Sequence, residues 1–351
     1  MRSLTYTTTR RVRVRYSRHS GSLPDRAFHV VTVTFGEYAD GWIASQCELA
    51  RAGLIRANTV CRFESALAAH LIPFFGGYPL GAITRERCEA FRTTLFASHQ
   101  LAPRTINGVI AVLRLILRRA IQDGAMPGPD PTAGIRPLFA APRRVDCYTR
   151  QELSRLLQAT PAKWRAITGL AGLAGLRQGE ILALRPSDID LGSRVVRVRR
   201  SLQRSHRLLT LEQRLGPPKS PAAVRDVPLR AQLIPVLAEH IGMHWRPNRF
   251  DLAFAGRQGH PLYPVNFQRR IYQPAIAAAG LRPIRFHDLR VTFITHCAEA
   301  GVPIATIARW VGHTQTKTTE LYWHATPTAE ASARRLLNDY DHAHETVDGR
   351  L

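Results

Sequence analysis

The stretch TINGVIAVLRLILRRAIQDG, residues 105–124, repeats its apolar residues at intervals of three and four. That period is one face of an α-helix and does not fit the alternation of a strand. A chain that carries such a face must bury it against other faces of the same kind. Three further segments upstream supply them. TFGEYADGWIASQ opens with Thr34 and Glu37 at the spacing of a capping box. ANTVCRFESALAAHLIPFF follows and is expected to stop at Pro73 and the Gly76-Gly77 pair. TRERCEAFRTTLFAS is the next, and the long stretch itself ends at Gly124. Four helices over residues 31–126 predict a small all-helical domain.

Residues 127–146, PGPDPTAGIRPLFAAPRRVD, change composition toward Pro, Gly and basic residues and read as a linker. A second domain is expected over 147–335, opening at YTRQELSRLLQAT, where Thr149 and Glu152 repeat the capping-box spacing. An apolar helix leads into GLAGLAGLRQGEILALRPSDID. RVVRVRRSL and RLLTLEQR read as two strands, and PPKSPAAVRDVPL as a turn with a third. Helices are expected at 230–245, 264–279, 287–300, 303–311 and 316–324, with a tail over 336–351. The fold class is mainly α with a small antiparallel β-sheet, in two domains.

Charge narrows the function. Lys plus Arg number 49 against 26 Asp plus Glu, a formal balance of +23 in 351 residues. A field of that sign draws polyanions, nucleic acid first and an anionic membrane surface second. No stretch approaches the roughly 18 unbroken apolar residues that span a bilayer. Residues 1–24 hold six arginines and no acid, so residues 1–30 read as a basic arm, strand or disordered. They lack the apolar run of a secretory signal. The cysteines, Cys47, Cys61, Cys88, Cys147 and Cys297, are odd in number with no Cys-x-x-Cys pair, which fits a reducing cytoplasm better than a disulfide framework.

Several residues could carry chemistry. Arg177 ends a Gly/Leu/Ala-rich helix, where its charge needs Glu180 or a bound anion as partner. His287 and Arg290, three apart, leave one helix face and together suit a phosphate. A surface helix with chance polar residues explains that pair equally well when taken alone. Lys219, in a turn, would ordinarily be solvated. VGHTQTKTTELYWHAT places His313 after Gly312 and sets Tyr322 and His324 nearby. It carries neither the His-Glu-x-x-His spacing nor a cysteine of the kind a zinc site uses. Trp310 and Trp323 suit a packed core. A tyrosine oxygen near histidines can attack phosphorus, provided cations surround the phosphate and a proton acceptor lies close.

In chain order the set is Arg177 in GLRQGE, Lys219 in PKSPAAVRDVPL, His287 and Arg290 in HDLR, His313 in VGH and Tyr322 in TTELYWH. This resembles the tyrosine recombinase (phage integrase) family of site-specific DNA recombinases, over roughly residues 34–335. Val311 stands where the family has leucine before Gly-His, and Val291 where a second histidine often follows HDLR. The resemblance implies that Arg177, His287, Arg290 and His313 grip the scissile phosphate, with Glu180 and His324 in support. It further implies that Lys219 protonates the leaving oxygen from a β-hairpin loop and that Tyr322 is the nucleophile, with no metal, cofactor or ATP. The helical domain becomes a core-type DNA-binding domain that closes like a clamp on duplex DNA with the catalytic domain. The protein is then expected to work as a homo-oligomer, a tetramer in the synaptic complex, in a prokaryotic nucleoid. DNA-bending accessory proteins are left open, as is arm-site binding by the short N-terminal arm. A non-catalytic DNA-binding regulator leaves the ordered set unexplained. A type IB topoisomerase-like nicking and sealing enzyme shares the chemistry and is separated from a recombinase only by assay.

Overall fold

The computed structural model describes residues 33–141, 145–203, 207–218 and 220–313. The chain divides into two compact units, Met1–Pro142 and Arg143–Leu351. Lys219, Tyr322 and His324, the N-terminal arm and the tail lie outside the described residues.

In the first unit, α1 (Phe35–Arg51) starts at the expected capping box. Thr34 Oγ1 accepts from the Glu37 amide at 3.3 Å, and Glu37 Oε2 accepts from the Thr34 amide at 2.9 Å. α2 (Ala57–Ala66) runs through a π turn (Leu67–Leu71) into α3 (Ile72–Phe75). Pro73 therefore does not stop the helix. Its ring and missing N–H are incompatible with a regular turn, so the Ile72 amide reaches back to the Leu67 carbonyl and the helix widens ahead of it. The end comes at Gly76. α4 (Arg85–Ala97) is capped by Thr84, and α5 (Pro103–Gln122) begins with proline at its first position.

α5 buries Ile106, Val109, Ile110, Val112, Leu113, Ile116, Leu117 and Ala120, the face its period announced. Phe35, Phe75 and Phe91 are buried together, with Phe75 and Phe91 centroids 4.9 Å apart. The Pro/Gly stretch after α5 is fastened to it rather than loose. Asn107 donates from Nδ2 to the Leu138 carbonyl at 2.9 Å and accepts from the Leu138 amide at 2.8 Å. Arg114 donates to the carbonyls of Thr132 and Ile135, and Arg118 pairs with Asp130 at 2.7 Å.

The second unit opens with α6 (Arg150–Ala159), α7 (Ala162–Leu173) and the single turn α8 (Gln178–Ile181). Strands β1 (Ile189–Asp190), β2 (Val195–Val198) and β3 (Ser201–Leu202) follow. Next come α9 (Leu211–Arg214), β4 (Leu215–Gly216) and β5 (Arg225–Pro228). The remainder is helical: α10 (Ile234–Glu239), α11 (Pro264–Phe267), α12 (Gln273–Ala278), α13 (Asp288–Glu299) and α14 (Ile304–Val311). As at Pro73, a π turn (Gln268–Tyr272) precedes Pro274.

The sheet is antiparallel in the order β1-β2-β5, with Val196 opposite both Ile189 and Val227. β3 and β4 form a separate ribbon pairing Leu202 with Leu215. RLLTLEQR is thus not a strand. Thr210 and Gln213 exchange capping bonds of 3.2 and 2.9 Å, and that local pair fixes α9 where a strand was expected. α13 is no surface helix either: Asp288 through Ala298 are all buried, and it packs on α7. Arg282 holds the start of this unit in place. It lies over the Tyr148 ring, bonds Asp146 at 2.7 Å and also reaches Glu152 and the Cys147 carbonyl. Among the described residues no helix is long and apolar enough to cross a membrane.

Candidate active site

Four separated stretches of the second unit meet at the C-terminal end of α14. That helix terminates at Gly312 in the left-handed region (φ 64°). The Gly312 amide bonds the Arg309 carbonyl at 3.1 Å and the His313 amide bonds the Ala308 carbonyl at 3.0 Å, a Schellman-type closure that fixes where His313 stands. A side chain at 312 would be strained by its φ, and its Cβ would fall 2.9 Å from the Ala222 carbonyl oxygen.

Helix ends leave carbonyls without partners and a partial negative charge. Here three consecutive carbonyls each receive a guanidinium from a different element. Arg225 Nε, from β5, donates to Trp310; Arg290 Nη2, from α13, donates to Val311; Arg177 Nη2 donates to Gly312 at 3.1 Å. Arg290 also donates Nη1 to the Gly175 carbonyl at 2.7 Å. Gly175 (φ 67°) is the turn between α7 and Arg177, and a Cβ there would lie 2.4 Å from the Phe293 ring of α13. The α7–α13 packing therefore sets the Arg177 and Arg290 positions together.

Arg177 is the N-cap of α8. Its amide donates to Glu180 Oε2 at 2.9 Å and its Nη1 to Glu180 Oε1 at 2.8 Å, so Glu180 is the partner that its setting requires. Glu180 is itself buried and takes two more bonds from Arg225, Nη1 to Oε1 at 3.1 Å and Nη2 to Oε2 at 2.9 Å. Burial would raise the Glu180 pKa, but its bonds and charge pairing with Arg225, and then Arg177, hold it below the ordinary carboxylate value. Arg177 keeps about a third of its side chain open to solvent (36%), whereas Arg225 keeps 4%.

Both histidines are held below the ordinary imidazole pKa. His287, the N-cap of α13, stays open to solvent on one side; the protein around its ring, then Arg290 and Arg177, push its pKa down. His313, half-buried, is pushed down to about 4 by burial and by Arg290, Arg177, Arg225 and His287. Each neutral imidazole can donate one N–H and accept at its other nitrogen. Arg285 holds Asp288 with a 3.1 Å pair and so keeps that acid occupied. Among the described residues no cluster of three or more His, Cys, Asp or Glu could hold a metal ion.

The structure brings together Arg177, Glu180, His287, Arg290 and His313. Lys219, Tyr322 and His324 lie outside the described residues, but the chain beside Lys219 runs along the site: Pro218 is buried and Ala222 abuts Gly312. Sequence reasoning missed Arg225. Its signal was present, since alternation along RDVP gives Arg225 the inward phase of Val227.

The phage integrase family model matches residues 147–329, and the phage integrase N-terminal SAM-like domain matches residues 34–96. A tyrosine recombinase XerC-like protein of Caldanaerobacter subterraneus is 26% identical over 335 residues, covering 88% of this chain and 83% of the relative. Prophage integrase IntR of Escherichia coli is 26% identical over 317 residues, 81% of this chain and 74% of the relative. Among solved structures, the Tn1549 transposon integrase in complex with a circular intermediate DNA superposes with a TM-score of 0.70 at 20% identity, over 86% of this chain and 99% of that one. A lambda integrase tetramer bound to a Holliday junction gives 0.65 at 18% identity, over 83% and 77%. At these identities the structural likeness carries the fold, and the match to the family model carries the kinship. The chain belongs to the phage integrase family, the tyrosine recombinases that cut and rejoin DNA at specific sites.

Proposed function

We propose that this recombinase breaks one DNA strand at a time with Tyr322 as nucleophile and with Arg177, His287, Arg290 and His313 around the scissile phosphate. The Tyr322 oxygen–phosphorus bond forms as the bond from phosphorus to the 5′ oxygen breaks, leaving a 3′-phosphotyrosyl link. The tyrosine proton passes to a neutral imidazole of the site, and Lys219 gives a proton to the departing 5′ oxygen. Attack by a 5′-hydroxyl reverses the step. One phosphodiester is exchanged for another, so no ATP is consumed.

One observation supports this assignment above the others. The guanidiniums of Arg177 and Arg290 and the backbone of His313 come from three distant stretches and are tied to one helix end. Fixed cations stabilise charge on phosphoryl oxygens without reorganising during reaction. Glu180 orients Arg177, and His324 supports Tyr322.

Residues 31–126 are assigned as the core-type DNA-binding domain, 127–146 as the connection, 147–335 as the catalytic domain and 336–351 as a tail. The partner is double-stranded DNA carrying recombination sites, in the prokaryotic nucleoid. Strand exchange between two sites calls for several protomers; lambda integrase is a tetramer on a Holliday junction, and a tetramer is the synaptic assembly proposed here.

The test is a nicked duplex whose cleaved fragment diffuses away, incubated with the protein in excess chelator. Wild type should accumulate a covalent protein–DNA adduct, and Tyr322→Phe should bind the same DNA yet form none. An adduct that disappears on chelation and returns with magnesium or zinc would mean a metal-dependent nuclease instead.

A further inference from the structure

The group that sequence reasoning passed over is the most constrained one at the site. Arg225 is buried, and each of its three guanidinium nitrogens is engaged: Nε with the Trp310 carbonyl, Nη1 with Glu180 and the Ala223 carbonyl at 2.8 Å, Nη2 with Glu180. It thus joins three parts of the site. β5 continues the segment that follows Lys219, Glu180 holds the amide and Nη1 of Arg177, and Trp310 lies three residues before His313.

Charge sharpens the point. Glu180 is a buried carboxylate with two arginines on it. If Arg177 alone balanced it, the pair would be neutral and an incoming phosphate would meet little net charge. With Arg225 as its full counter-ion, Glu180 orients Arg177 through hydrogen bonds while the Arg177 charge stays available on its solvent-facing side. We infer that Arg225 is a positioning residue of the recombination reaction: it neutralises Glu180 and anchors the Trp310 carbonyl, so that Arg177 meets the phosphate as a full cation and His313 is held beside it. This rests on the site assignment above. A purely structural ion pair would add stability and leave the reaction rate of the folded protein alone.

Single-turnover adduct formation on saturating nicked DNA separates the two, because its amplitude counts competent molecules and its rate constant reports the site. Arg225→Met should slow the rate constant roughly tenfold or more, about 1.4 kcal/mol of barrier or greater, with the amplitude retained. Arg225→Lys, which keeps the charge but not the fork, should fall between it and wild type. Removing one partner of a buried pair can prevent folding. If Arg225→Met does not fold, Arg225→Lys and the double variant Arg225→Met/Glu180→Gln, which carries no orphaned charge, supply the reading. The double variant should keep an amplitude at least that of Arg225→Lys and still be slower than wild type in rate constant. Wild-type rate constants in the folded variants, with only the amplitude or melting temperature reduced, would overturn the proposal. Tyr322→Phe and Arg177→Ala run alongside. If those two form adduct like wild type, the site assignment has failed; if they are defective and the Arg225 variants are not, the failure belongs to Arg225 alone.

Discussion

At the scale of single residues, Lys219 carries the most exposed assignment, since a lysine in a turn is ordinarily idle. An alkoxide leaves poorly near neutral pH, and general acids are worth about 10² to 10⁴ in rate. Replacing the bridging 5′ oxygen with sulfur gives a leaving group that needs no proton. Lys219→Ala should then cleave the sulfur substrate near the wild-type rate while remaining slow on ordinary DNA, and Arg177→Ala should stay slow on both. Failure of sulfur to restore Lys219→Ala would move the general acid to His287 or His313. The histidines make a second prediction. His313, His287, His240 and His296 all have pKa values lowered in the folded state, first by burial. The unfolded chain, with histidines near 6.5, binds protons that the folded one refuses. Their stabilisation is full above about pH 6.5 and is lost as pH falls toward the His313 value of about 4. The melting temperature should drop steadily between pH 7 and pH 4.5, and a flat profile would contradict the burial of these rings. Arg177, His287, Arg290 and His313 were legible in the sequence as candidates, each in a short motif and in a fixed order, and the described fold brings these four together. Arg225 was overlooked: alternation with Val227 marks its inward phase, but the partner that makes a buried arginine tolerable, Glu180, stands 45 positions earlier.

At the scale of elements, legibility followed locality. Thr34 with Glu37 and Thr149 with Glu152 cap their helices as their spacing announces, because both partners lie within one turn. α5 was plain from its period. What escaped was decided by competing local forces or by distant packing. Pro73 reads as a stop but sits inside a helix relieved by a π turn, and RLLTLEQR reads as a strand but yields to the Thr210–Gln213 cap. α13 carries His287, Arg290 and His296 yet lies in the core, because it packs on the apolar α7 and its Phe293 closes on Gly175 in the turn that follows. The close approach at Gly175 can be tested. Gly175→Ala forces a Cβ into Phe293 at a positive φ, and should destabilise the second unit by about 1–3 kcal/mol while lowering cleavage further than stability explains, since Arg177 and Arg290 are both referenced to that turn. Leu113→Ala in α5 should cost about 2–5 kcal/mol in the first unit and leave the chemistry of any folded protein intact. Denaturant unfolding with adduct rates on the same preparations would expose either expectation as wrong.

At the scale of the whole molecule, the balance of +23 is the dominant physical fact. Binding should release counterions from DNA, so affinity should fall steeply and linearly in logarithmic terms as salt rises, with a slope of about 0.9 per phosphate neutralised. A flat response from low to high salt would remove the electrostatic part of the account. The sequence declared this charge openly, and with it the class of partner. The site within that field became legible only as an ordered set of six residues, and four of them stand together in the described fold. The measurement that bears most directly on the central claim is to trap the adduct on nicked DNA in excess chelator, digest it, and identify by mass spectrometry the peptide that carries the nucleotide. A single modified peptide should result, with the nucleotide on Tyr322. Modification at Tyr340, at a serine, or at no residue at all would contradict it.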